Sequence, residues 1–218
     1  MNDFSALGLS ISATPQAIHV CSAAPFTVLS SAVIGGGFHR VRHILNMHVD
    51  KDYYNDNPAV DLRAMAHQLG INESFVGLMT AVYIRKARSA VCERNGIKAG
   101  VILTAGITNA TCAGITPPFL PGPGTINIMA FLNVRLSRAA MVNAVSTVTE
   151  AKCATLAELG IQTPQGDPAT GTSTDTVTVA CPGVGAFQSY AGPVSLPGWL
   201  LACAVRTALN DALTQEEM

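Results

Sequence analysis

The stretch "PATGTSTDTVTVACPG", residues 168–183, sets one carboxylate, Asp175, among threonines and a serine. The strand that follows carries Val177, Val179 and Cys181 on one face, and two-residue alternation puts Asp175 on that same apolar face. Two readings follow. Asp175 accepts backbone N–H groups of the tight loop as an Asx-type cap. Or it stands in a pocket, oriented by the hydroxyls of Thr172 and Thr174, with burial raising its pKa and hydrogen bonds lowering it. A second acid, Glu150, falls with Asn143, Thr147 and Ala154 on one stripe of a helix rich in Ala and Val, with Lys152 the nearby base. That stripe either faces solvent or lines a cleft.

Hydroxyls and amides gather at two further places. The loop before "TINIMAFLNVRL" delivers Thr125 and Asn127 to a strand start, and "LTAGITNAT" supplies Thr104, Thr108, Asn109 and Thr111. Loops held by rigid strands are where sites tend to lie, and such groups bind polar atoms without charge; simple turn chemistry is the plainer alternative. Metal chemistry is not expected. His39 and His43 share a strand face while His48 lies on the other, and the six cysteines form no CxxC pair. A GxSxG elbow, a P-loop and a GxGxxG fingerprint are all missing.

The elements that must position these residues alternate strands with a few helices. "AIHVCS" and "FTVLSSAVIGGG" read as strands, and "HRVRHILNMHVD" as the antiparallel partner of the latter across a Gly-rich hairpin link. "NPAVDLRAMAHQLG" reads as a helix, with Asn57 as cap, Pro58 in the first turn and Gly70 as stop. "FVGLMTAVYI", "RSAVCERNG" and "KAGVILTAGI" read as strands, and residues 108–124 as an irregular Pro/Gly loop. In "TINIMAFLNVRL" the even positions from Ile126 to Leu136 form one apolar face. A helix over about 137–159 is capped by Ser137, ended by Gly160, and packs through Met141, Ala144, Val145, Val148 and Thr155 or Leu159. A C-terminal helix runs from "SLPGWLLACAV" into "RTALNDALTQ", and the tail "QEEM" reads as frayed. The expected fold is α+β: mixed or antiparallel sheet layers covered by helices, αββα-like, in a single domain over residues 1–218 with its core at about 17–213.

Composition narrows the classes. Apolar residues make up 49% of the 218 and charged residues 12%, with net charge −1. No Lys/Arg run exists to neutralise phosphates, so nucleic acid is not an expected partner. No apolar run approaches the ~20 residues of a membrane span, and "MNDFSALGLS" lacks a basic signal region. Reduced cysteines among apolar neighbours suggest the cytoplasm. The sparse charge suggests surface hidden in a homo-oligomer.

The ordered series "SSAVIGGG", "ILNMHV", "NPAVDLRAMAHQLG", "GLMTA", "TAGITNATCAG", "GTINIM", "TVTEAK", "ATGTSTDTVTVA" and "YAGP" resembles the adenosylcobinamide amidohydrolase family, the CbiZ type, from about residue 25 to 205. The resemblance implies corrinoid salvage. An adenosylated corrinoid would be the substrate, cut at the amide joining aminopropanol to a propionate of the ring. Adenosylcobyric acid and aminopropanol, or its phosphate, would leave, and adenosylpseudocobalamin is a further substrate; no cofactor is implied. Placed on these segments, Thr125 or a water is the nucleophile, Glu150 or Asp175 the base and then acid, and Asn127 and Asn109 the oxyanion donors. Asn46, His48, Thr80, Thr172 and Thr174 meet the substrate. A non-catalytic corrinoid-binding protein is one alternative. A fainter likeness of "GTINIMAFL", the long helix and "TSTDTV" to ornithine acetyltransferases and β-aminopeptidases offers another: self-cleavage at Gly124–Thr125.

Overall fold

A computed structural model describes residues 4–119 and 124–214. Its strands are β1 (Leu9–Ala13), β2 (Ala17–Ser30), β3 (Gly37–His48), β4 (Phe75–Thr80), β5 (Arg88–Arg94), β6 (Ile97–Ala105), β7 (Ala110–Thr111), β8 (Ile126–Leu132), β9 (Arg135–Leu136), β10 (Gly171–Thr172), β11 (Thr176–Pro182) and β12 (Phe187–Gln188). The helices are α1 (Pro58–Gln68), α2 (Arg138–Glu158) and α3 (Leu196–Thr214). Eight strands form one mixed sheet in the order β4-β3-β2-β11-β8-β6-β5, with β1 added beside β2. Only β3–β4 and β8–β11 pair in parallel within it.

Strand parity shows how the sheet is layered. Ile126, Ile128, Ala130 and Leu132 of β8 point at α2 and α3, together with Val179 and Cys181 of β11 and Val101 and Leu103 of β6. The opposite faces of the same strands, through Ile102, Met129, Phe131 and Ala180, pack on Ile18, Val28, Ile44, Val76 and Leu78 of β2, β3 and β4. The outer face of β3 then packs Leu45 and Met47 on Leu62 and Ala66 of α1. The sheet therefore curls until its β3–β4 end lies over β8 and β6, as right-handed strand twist permits. Three apolar interfaces separate four layers, α/β/β/α.

Local chemistry explains the elements. Ser137 Oγ accepts the N–H of Ala140, capping α2 as its sequence suggests. Met141, Ala144, Val148 and Thr155 are buried on its packed face, with Val145 and Leu159 half-buried. Asn57 precedes α1 but makes no side-chain cap bond; the Asn57 N–H is instead taken by Asn55 Oδ1.

Several boundaries differ from the sequence reading. "AIHVCS" and "FTVL" are one strand, β2, whose pairing shifts register between Cys21 and Phe26. It ends at Ser30, because Ala32 N–H turns back to Ser30 Oγ. "FVGLMTAVYI" stops at Thr80, whose hydroxyl accepts Val82 N–H; a 3-10 turn follows at Ile84–Lys86. The Pro/Gly loop contains β7, which pairs with β10. "TINIMAFLNVRL" splits, because Arg135 and Leu136 leave the main sheet to pair with β12. β1 has no counterpart in that reading. The tail "QEEM" lies outside the described residues. Among those residues no helix is long and apolar enough to cross a membrane.

Candidate functional site

Asp175 sits on the helix-facing side of the sheet, as alternation requires, and there it meets α2. Its Oδ2 pairs with Lys152 Nζ, and its Oδ1 accepts the Thr172 hydroxyl and the Ile126 N–H, the latter at 3.0 Å. The pair is well covered, with side chains 8% and 14% exposed. A carboxylate with both oxygens engaged in this way is held still. Its acceptors tie three pieces together: α2, the strand start at Ile126, and the threonine loop. Gly171 lies flat against the pair; a Cβ there would collide with Asp175 Oδ2 and would stand 2.5 Å from Lys152 Nζ. The expected cap by the loop's own N–H groups does not form: the N–H partner comes from the neighbouring strand, and the loop contributes a hydroxyl, as the alternative reading of Asp175 has it.

The strand start that Asp175 pins carries Thr125, on the inner side of the sheet. Thr125 Oγ1 donates to the Thr174 carbonyl at 2.9 Å and lies 3.2 Å from Asn127 Oδ1. Thr174 Oγ1 in turn donates to the Gly124 carbonyl at 3.0 Å. Gly124 adopts φ +131°, and a Cβ on it would strike the Asn109 side chain and come within 2.8 Å of Thr108 Oγ1. Only glycine fits this turn comfortably. Asn109 Nδ2 holds the neighbouring loop by donating to Ser173 Oγ at 2.6 Å.

Behind Thr125 a buried polar chain crosses between the sheet halves. Asn127 Nδ2 donates to Asn46 Oδ1 at 2.9 Å and to the Met79 carbonyl at 2.7 Å. Asn46 Nδ2 donates to Thr104 Oγ1 at 3.2 Å, and Thr104 Oγ1 donates to Thr80 Oγ1 at 3.1 Å. Asn46, Thr104 and Asn127 are essentially inaccessible.

In front of Thr125 lies a cavity of about 480 Å³. Gly124, Thr125, Thr174 and Thr176 form one wall, and Met79, Thr80 and Ala81 another. The loop after β3 closes it with Asp50, Lys51, Tyr53, Tyr54 and Asn55. A smaller cavity of about 150 Å³ continues past Lys51 and Gly124 toward Tyr83 and Thr108. Tyr53 is tethered by its hydroxyl, which donates to Asp61 Oδ2 of α1 at 2.6 Å. Partial burial and that carboxylate push its pKa up to about 12. Tyr54 is 85% exposed at the rim.

The residues expected at a site thus separate into groups. Thr125, Thr174 and Thr80 line the cleft. Asn127 and Asn46 lie directly behind it, too deep to touch a ligand. The His48 ring lies tilted against Tyr83, centroids 5.2 Å apart, with a ring nitrogen 3.2 Å from the Thr80 carbonyl. Thr172 supports Asp175 and, with Ser173, borders a separate small cavity of the Pro/Gly loop. Asn109 opens onto another such cavity. Asp175 and Glu150 are not in the cleft lining. Asp175 is consumed by its ion pair, and Glu150 stands exposed on α2, in a different layer from the inner face of β8. The polar stripe assumed for α2 also divides, since Thr147 is buried and donates to the Ala191 carbonyl.

Sequence reasoning missed two contributors. One is the "VDKDYYND" loop, whose paired tyrosines directly after three charged residues were a usable signal. The other is the partnership of Lys152 with Asp175. Lys152 falls four residues after the buried Val148 and three before the buried Thr155, on the packed side of α2, where an unpaired lysine would be costly.

Comparison with known proteins places the chain in a family. A family profile described as CbiZ, adenosylcobinamide amidohydrolase, matches residues 6–218. The adenosylcobinamide amidohydrolase of Methanosarcina mazei is 34% identical over 150 residues, 69% of this chain and 67% of that protein. The one from Halobacterium salinarum is 33% identical over 147 residues, 64% of this chain and 59% of that protein. A crystal structure of the PH0078 protein from Pyrococcus horikoshii OT3 superposes with a TM-score of 0.48 at 11% identity, over 90% of this chain and 77% of that one, a likeness too slight to bear on the site.

Proposed function

Because this chain belongs to the adenosylcobinamide amidohydrolase family and is a hydrolase of an amide bond, we propose that it cuts the amide joining aminopropanol to the corrin propionate of adenosylcobinamide. The products are adenosylcobyric acid and aminopropanol, or its phosphate, and the same arm makes adenosylpseudocobalamin a second substrate. The observation that supports a location for this chemistry is the Thr125 hydroxyl on the wall of the 480 Å³ cleft, in a setting of threonines, a backbone glycine and tyrosines. A cavity of this size takes the amide arm, and the corrin stays at the mouth against Tyr54. Uncharged hydroxyls suit a neutral, amide-fringed ligand. The free thiols of the described cysteines fit a reducing, cytoplasmic setting.

In this reading Thr125 Oγ1 or a water held by it attacks the amide carbonyl. Asp50, the carboxylate in the cleft lining, takes the proton and returns it to the departing aminopropanol nitrogen, Lys51 stabilises the charge that develops on the carbonyl oxygen, and where Thr125 attacks, a water then hydrolyses the ester it forms. Asn127 fixes the rotamer of Thr125. Asp175 and Lys152 are positioning residues that hold Ile126 and the threonine loop. Release of aminopropanol from adenosylcobinamide, followed by mass spectrometry, tests this. Thr125→Ala and Asp50→Asn are expected to lose about 100-fold or more in kcat; wild-type turnover in Thr125→Ala would sink the site. An intact corrinoid that binds unchanged to the wild-type protein would instead mark a binding protein.

A second reading rests on the Thr174 hydroxyl. It donates to the carbonyl just before Thr125, where it would polarise that bond for self-cleavage at Gly124–Thr125. Intact-mass measurement decides it: two fragments support processing, and a single full-length species excludes it.

A further inference from the structure

On the outer face of β2 and β3, away from the cleft, antiparallel pairing gathers three metal-binding side chains. His19 and Cys21 are two residues apart on β2 and so share a face. Cys21 lies directly opposite His43 in register. One ligand atom from each, a ring nitrogen from each histidine and the Cys21 sulfur, falls within 4.8 Å of the other two. His19 Nε2 and His43 Nδ1 are 2.9 Å apart. Nitrogens bound to one tetrahedral zinc stand about 3.3 Å apart, since zinc–nitrogen bonds are about 2.0–2.1 Å. A shift of a few tenths of an ångström therefore suffices for the nitrogens, and the Cys21 sulfur, within 4.8 Å of them, closes on the ion by up to about an ångström through rotation of its side chain.

The surroundings fit as well. His43 Nε2 lies 3.1 Å from Glu73 Oε1, the carboxylate–imidazole contact that orients a metal-binding histidine. With that nitrogen donating to Glu73, Nδ1 of His43 carries a lone pair and accepts the His19 N–H. All three side chains are half-buried: reachable by an ion, yet fixed by the strands. Ser10 and Ser12 of β1 stand opposite Cys21 and His19, leaving small neighbours at that edge.

We propose that His19, Cys21 and His43 form a zinc site that clasps β2 to β3, with water in the fourth position. One thiolate and two imidazoles suit a borderline divalent ion. Binding converts the Cys21 thiol to a thiolate and releases one proton to solvent. His19 moves its ring proton from Nε2 to Nδ1, and the two nitrogens and the sulfur then donate to the metal. The site lies on the face of β3 opposite Asn46, so it acts on the strand pair that carries the polar chain and not on the substrate amide.

The test uses the full chain, treated with chelator under reducing conditions and titrated with Co²⁺ as a spectroscopic stand-in. One equivalent is expected to raise thiolate-to-cobalt charge-transfer absorption with the visible bands of tetrahedral cobalt, and Zn²⁺ should abolish both. Cys21→Ser should lose the charge-transfer absorption while keeping the far-ultraviolet circular dichroism of the parent. Glu73→Gln should keep it but bind about 10–100-fold more weakly. If Cys21→Ser does not fold, His19→Gln takes its place and should lose tight binding. Absence of the absorption in the parent protein, or its survival in Cys21→Ser, would overturn the site and leave a hydrogen-bonded histidine pair.

Discussion

Asp175 carries its charge into a packed layer, and Lys152 makes that tolerable. Removing one partner of such a pair leaves the other buried and uncompensated, at a cost of about 3–5 kcal/mol. Lys152→Met should therefore lower the midpoint of chemical unfolding sharply, whereas Lys152→Met combined with Asp175→Leu should recover part of the loss. Equal midpoints for Lys152→Met and the parent would show that the pair contributes nothing. The prediction separates support from chemistry, because a substrate-touching Asp175 would change turnover without unfolding the loop. Asp175 was visible in the sequence as an acid on an apolar face. Its partner was visible only as a lone base in "TVTEAK", since helical spacing alone does not say which layer lies beneath a residue.

At the level of elements, the loop between β3 and α1 is secured to the helix by Tyr53 and Asp61. Tyr53 holds its proton up to about 12, through partial burial and then the Asp61 hydrogen bond, while Tyr53 and Asn55 hold Asp61 below the usual carboxylate range. The signs are opposite. The Tyr53 contribution is present below the ordinary tyrosine pKa of 10.0 and is lost as pH rises through 12. That of Asp61 is present above the ordinary value of 3.8 and lost as pH falls through the depressed one. Ultraviolet titration should show one of the four tyrosines ionising near 12, and Tyr53→Phe should remove that step. Ionisation of all four in the ordinary tyrosine range would contradict the tether. Elements themselves were largely legible: α2 with its Ser137 cap, the β2–β3 hairpin, and the even face of β8. Element ends were not, because Ser30, Thr80 and Asn57 are governed by hydroxyl and amide bonds to particular neighbours that no local pattern announces.

For the whole molecule, the polar chain from Thr125 through Asn127 to Asn46, Thr104 and Thr80 bridges the two halves of a curled sheet. Asn127→Leu would strand Asn46 Oδ1 and the Met79 carbonyl in an apolar layer, costing about 1–3 kcal/mol for groups left unsatisfied. Denaturant unfolding should show that loss, and aminopropanol release should fall with it because Thr125 loses its partner. An unchanged midpoint would mean that the interior rearranges without penalty. Nothing in the sequence set Asn46 beside Asn127, which lie 81 residues apart.

The sequence by itself determined the family, the α+β class, the faces of β8 and α2, and the presence of a hydroxyl-rich turn around Asp175. These follow from periodicity, caps and ordered motifs, which are properties of neighbouring residues. Only the tertiary structure decided what each face meets. Packing of α2 on the sheet set Asp175 against Lys152, curling of the sheet turned Thr125 toward a cleft closed by Tyr53 and Tyr54, and the β2–β3 register set His19 and Cys21 beside His43. Those meetings depend on register and on layer order, which arise from the summed packing of distant segments and are not encoded in any one of them.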